Sequence, residues 1–195
     1  MQQKTTLSLL IVMPIAVLGT TLNFANYQQC SALLKNCPKQ GAFYQPSCIQ
    51  QVVSKNPICQ QLNTLANQLN TTPDAISVNK INNIQVITVQ FFADGQYKYY
   101  LLTPQNNLID TAVDPRNLDS TLAKKYVKSN FMITSSGVPV PHVNKDGSQN
   151  FNVSLRITNG CLACPVIGIA NTQFRFDTQG KLSVTRLVSF IPTSK

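Results

Sequence analysis

The chain has 195 residues, of which 43% are hydrophobic. Only 12% are charged, where a globular protein usually has about 25%. Sixteen Lys and Arg face seven Asp and no Glu, a net charge of +9, and polarity comes instead from 18 Gln and 19 Asn. This composition excludes a charged coiled coil and an acidic disordered tail, and leaves a carboxylate- or histidine-dependent enzyme only those seven Asp and His142.

Residues 1–25 read as an export signal. Lys4 lies in a polar start, Leu7 to Leu18 is apolar except for Ser8 and Pro14, and Gly19, Thr20 and Thr21 follow. That is the order of a cationic region, an apolar core and a small-residue cleavage site, with cleavage expected after Gly19 or Ala25. The alternative is a retained membrane anchor, since Leu7 to Ala25 reaches the lower end of the ~17–25 residues that span a bilayer. Pro14, Gly19 and Asn23 weaken that alternative. Either way the remainder is expected in the periplasm or outside the cell.

Residues 26–75 form a Cys-rich helical region. A short helix is expected over Ser31–Lys35, broken by Pro38 and Gly41, and another over Cys48–Val53. Asn56 reads as an N-cap with Pro57 at the first helical position. The helix that follows runs to about Asn70, with Ile58, Leu62, Leu65, Ala66 and Leu69 on one face.

The region holds Cys30, Cys37, Cys48 and Cys59, and Cys161 and Cys164 follow later. An even count in an exported chain implies disulfides. Six cysteines allow about 15 pairings, so connectivity does not follow from sequence. One arrangement, Cys30 with Cys59 and Cys37 with Cys48, would staple an antiparallel helical hairpin too small to hold itself shut. Zinc needs short C-x2-4-C ligand pairs, which these four cysteines do not form, and no metal or other cofactor is expected.

Residues 76–195 read as antiparallel β. Ile84 to Ala93 is a strong strand, Asp94-Gly95 a hairpin signal, and Gln96 to Thr103 the returning strand. Leu108 to Val113 follows another turn. Asp114-Pro115 then opens a helix whose buried stripe is Leu118, Leu122 and Tyr126. Lys124, Lys125 and Lys128 crowd its last turn, where cations suit the helix dipole.

Phe131 to Thr134 begins a further strand. The two prolines of Gly137 to His142 bar that stretch from a central position. Asn150 to Thr158, Val166 to Phe176 and Lys181 to Ile191 complete the sheet, with Phe174, Phe176, Leu182, Val184 and Leu187 facing the core.

Four features are candidates for chemistry. Cys161-Leu162-Ala163-Cys164 matches a redox dithiol in spacing, but strand rather than helix follows it, so a structural bridge between strands is the better reading. His142, between Pro141 and Val143, reads as an exposed loop residue with no partner for catalysis. Lys124, Lys125 and Lys128 offer contact with an anionic partner, against the plainer account that lysines keep an acid-poor surface wet. Tyr97, Tyr99 and Tyr100 read as cross-strand packing before they read as a recognition patch.

The expected architecture is α+β: a disulfide-stapled N-terminal helical cap, then an antiparallel β-sheet of about six strands with one packed helix. The expected function is that of a non-enzymatic binding or assembly module of the bacterial cell envelope. Its partner would be an unknown protein or an anionic envelope component rather than nucleic acid, and a membrane only if residues 1–25 are kept. The alternatives are a membrane-anchored periplasmic subunit of an envelope or secretion complex, and a thiol–disulfide handling protein using Cys161 and Cys164.

Overall fold

The computed structural model describes residues 22–41, 43–91 and 96–193. It is an α+β fold. The cap opens at Asn23, whose Oδ1 accepts from the backbone of Ala25 (2.9 Å) and Asn26 (3.3 Å) to start α1 (Phe24–Leu34). This helix starts earlier than Ser31, inside the stretch read as an export signal. Leu22 before it is buried, and its carbonyl accepts from Gln85 Nε2 at 2.9 Å.

After Pro38 comes a small hairpin that sequence did not suggest, β1 (Lys39–Gln40) with β2 (Phe43–Tyr44). Two residues per strand are too few to show a period. Helix α2 (Pro46–Lys55) follows. Asn56 departs from the capping role expected of it. Its side-chain amide donates back to the Val52 carbonyl (2.7 Å), closing α2 instead of opening the next helix. A 3-10 turn, Pro57–Cys59, leads into α3 (Gln60–Gln68), and the turn after it holds Asn70 with φ 50. Leu62, Leu65 and Ala66 are buried along its inner face, with Ile58 and Leu69 packed beside them.

Two β-sheets follow, not one of about six strands. The first is antiparallel in the order β3 (Ile76–Ile81), β4 (Ile84–Phe91), β5 (Gln96–Leu102), β6 (Leu108–Asp110). Sequence did not anticipate β3. The Asp94-Gly95 hairpin signal and the end of the expected strand at Phe92-Ala93 lie outside the described residues. The second sheet runs β11 (Leu182–Pro192), β10 (Val166–Phe176), β9 (Gln149–Asn159), with β7 (Phe131–Ser135) and β8 (Val140–Val143) sharing the far side of β9.

The first sheet is the middle layer. Ile76, Val78, Ile87, Val89 and Leu102 pack against the cap helices. Ile84, Val86 and Leu101 point the other way, onto Phe131, Phe151, Val153, Leu155, Ile157, Phe174 and Phe176. A strand covered on both faces buries apolar residues on each, as β4 does with Ile84 and Val86 on one face and Ile87 and Val89 on the other. Strands β9 and β10 instead alternate, because their outer faces meet water.

The helix expected from Asp114 is divided. Asp114 caps a 3-10 turn, Pro115–Asn117, and Asp119 separately caps α4 (Ser120–Lys125), accepting from Thr121 (2.8 Å) and Leu122 (2.9 Å). Two caps five residues apart break one continuous helix into two short pieces. Lys124 and Lys125 occupy the last turn of α4, but Lys128 lies beyond it. Val184 is 45% exposed and does not join the core: a bulge at Ser183 shifts the register after Leu182 and pairs Val184 with the outward-facing Arg175.

Candidate functional site

The structure pairs Cys30 with Cys59, Cys37 with Cys48, and Cys161 with Cys164, leaving no free thiol. The first two form the nested arrangement. Cys30 and Cys59 are fully buried and tie α1 to the start of α3, while Cys37–Cys48 ties the entry of the small hairpin to α2. Cys161–Cys164 closes the connection from β9 to β10, where Thr158 Oγ1 donates to the Cys161 carbonyl (2.6 Å). The residues after it enter β10, so no helix N-terminus faces either sulfur.

The other sequence candidates lie apart from one another. His142 is exposed on the edge strand β8, not in a loop, and pairs in register with Asn150. Lys124, Lys125 and Lys128 are exposed, with Lys125 Nζ 5.4 Å from the Tyr126 ring centroid. Tyr97 and Tyr99 stack on one face at 6.5 Å, and Tyr100 points into the cap. Burial, with the Asp110 charge adding, pushes the Tyr100 hydroxyl up to about 12, so it stays protonated. Among the described residues no group of three His, Cys, Asp or Glu could hold a metal, and no helix is long and apolar enough to cross a membrane.

One concavity is not marked by sequence. A cleft of about 940 Å³ opens in the cap between the small hairpin, α2, α3 and the 71–74 turn. Its apolar wall is Phe43, Tyr44, Pro46, Ile49, Val53 and Pro73. Its polar rim carries the side-chain amides of Gln40, Gln50, Gln60, Asn63 and Asn67, which make no hydrogen bond among the described residues. Both cap disulfides fix its frame: Cys48 lies in α2, and Cys59 immediately precedes α3. No lining residue is basic, and the single acid is Asp74, whose Oδ1 is buried without a hydrogen-bond partner.

Sequence held two traces of this site. Asp74 is the lone acid between residues 22 and 75, and helices α2 and α3 carry amides where most surface helices carry charge. Neither trace says that the two faces meet across a gap.

A second groove, of about 550 Å³, lies on the outer face of the five-stranded sheet. Its polar groups are already satisfied. Ser154 Oγ donates to Asn171 Oδ1 (2.6 Å), Asn171 Nδ2 to Ser189 Oγ (2.9 Å), and Gln173 Nε2 to Asn152 Oδ1 (3.0 Å). Those cross-strand pairs knit the sheet and leave little for a ligand. The cap cleft, with its amides unpaired, has the better binding chemistry. No protein-family model, curated protein or solved structure matches the chain.

Proposed function

We propose that the chain is an exported, non-enzymatic binding module, working in the periplasm or outside the cell, whose ligand site is the cap cleft. The observation that carries this reading is the cleft itself: apolar walls, a rim of unpaired amides, and a frame closed by two disulfides. Its volume falls within the ~300–1,000 Å³ of ordinary small-ligand sites. A frame cross-linked in advance loses little freedom when a ligand enters. The three disulfides support an oxidising compartment. Leu22 and Asn23 belong to the folded cap, which supports signal removal after Gly19 over removal after Ala25, since the latter would strip a core residue and the cap of α1.

Two measurements test this. Nile red, a neutral apolar dye, is expected to bind the oxidised protein one to one, with loss of binding in Val53→Trp, which fills the cleft, and none in Val188→Ser on the outer sheet. Equal binding in all three proteins removes the cleft from consideration. An intact mass of protein from its native source, before and after reduction, is expected to begin at Thr20 and to take up alkylating reagent only once reduced. A mass that keeps residues 1–19 makes the chain an anchored subunit instead.

A further inference from the structure

The cleft carries a charge preference, and it runs against the charge of the whole chain. The protein is +9, yet not one of the 15 residues lining the cleft is Lys or Arg. The single ionisable acid there, Asp74, differs from every other described Asp. Asp110 accepts from Ala112, Asp114 holds Arg116, Asp119 caps α4, Asp146 accepts from Ser148, and Asp177 accepts from Gln179 and Lys181. Among the described residues Asp74 has no hydrogen bond and no ion pair, and it lines the cleft.

Each of the other five carboxylates is held by its own turn or cap. Asp74 sits in the 3-10 turn Pro73–Ala75 and caps nothing. A carboxylate left without a donor from its own fold is open to one brought from outside. A ligand cation that meets the accessible side of this carboxylate supplies the partner that the fold does not.

Resting on the reading of the cleft as a ligand site, we propose that it takes a small apolar molecule bearing one primary ammonium group. The ammonium pairs with Asp74. The apolar body lies along Phe43, Tyr44, Ile49 and Val53. The ligand is a small molecule because the volume is that of a small-ligand site, and it is cationic because the only charge in the cleft is negative. One ammonium brings three N–H donors, which rotate to meet the accepting Asp74 carboxylate.

The test uses the full chain with its disulfides intact and three probes of matched shape: 4-phenylbutylamine, 4-phenylbutanol and 4-phenylbutyrate. Binding is followed by amide chemical shifts, including the side-chain amides of Asn63 and Asn67. The amine is expected to bind about tenfold or more tightly than the alcohol, and the butyrate most weakly. In Asp74→Asn, which keeps the shape and removes the charge, amine and alcohol are expected to agree within about twofold.

If amine and alcohol bind the wild type equally, with shifts in the cleft, the ammonium assignment is overturned while the cleft stands as a ligand site. If the preference survives in Asp74→Asn, Asp74 is not its source and the proposal fails. If no probe shifts the cleft residues, the site reading fails with it. Should Asp74→Asn not fold, the wild-type ratio of amine to alcohol still decides.

Discussion

Asp114 and Arg116 do more than their positions in sequence suggest. Arg116 pairs with Asp114 at 2.6 Å and also donates to the Ser129 carbonyl (2.8 Å), with its guanidinium 4.3 Å from the Phe131 ring centroid. One side chain thereby ties the 3-10 turn to the start of β7. Partial burial pushes the Asp114 carboxyl up, but the Arg116 side-chain and backbone hydrogen bonds and the Arg116 charge outweigh it and leave it below its ordinary value. A lowered folded-state value adds stability above the unfolded value of about 3.9, and this is lost as pH falls through the folded value. Asp114→Asn should therefore lower stability by about 1–3 kcal/mol at neutral pH, with the gap to wild type closing in urea titrations taken through the acid range below pH ~4. Gly180 is a second sharp site. Its φ is +77, and an added Cβ would stand 2.7 Å from Pro104 Cδ. The turn that it forms reaches across to the first sheet, where Asn83 Nδ2 donates to the Thr178 carbonyl (3.3 Å) and Gln105 Nε2 to that of Gln179 (3.1 Å). Gly180→Ala should cost about 1–3 kcal/mol in chemical denaturation, from backbone strain and from moving Pro104. Sequence does not reveal this neighbour, because Pro104 is 76 positions away.

At the scale of elements, strong periods were legible and short or doubly capped pieces were not. The alternation of β9 and β10 and the Leu62-Leu65-Ala66 stripe of α3 could be read directly. The hairpin of β1 and β2 is too short to carry a period, and β3 was hidden because Asn79 and Lys80 within it break the alternation after Val78. The split at Asp119 was missed because the spacing of Leu118, Leu122 and Tyr126 fits one helix, whereas the capping bonds of Asp119 begin a second. The staples also differ by element. Cys30–Cys59 is buried and closes a separation of 29 residues; Cys161–Cys164 closes one of three, with Cys161 exposed. Replacing Cys30 and Cys59 together by Ser should cost about 2–5 kcal/mol and drop the thermal midpoint sharply. Replacing Cys161 and Cys164 together should cost less, because a loop of a few residues restrains the unfolded chain less. Equal losses in the two variants would mean that loop length does not set the difference.

In the whole molecule, three layers share one middle sheet, with the cap on one side and the five-stranded sheet on the other. The α+β class followed from composition and period, but the layering did not, since it depends on which face of β4 meets which partner. The candidate cleft was less legible still, because its walls come from segments that meet only after folding. Ile87 faces the cap, and Phe151 faces the middle sheet from the far layer; both are fully buried. Ile87→Ala should cost about 2–5 kcal/mol and Phe151→Ala about 3–5 kcal/mol. With a shared middle layer, each loss should appear as one transition in both near-ultraviolet circular dichroism and amide exchange. Separate transitions for cap and sheet would show that the layers fold independently. The nested cap bridges also bear on biosynthesis. On a chain threaded N-terminus first into an oxidising space, Cys30 and Cys37 emerge before Cys48 and Cys59. An oxidant that joins thiols in order of arrival would make Cys30–Cys37 and Cys48–Cys59, neither of which is present in the folded protein. Reaching the native nest therefore requires either a delay until Cys59 has arrived or a disulfide isomerase to undo the first pairing.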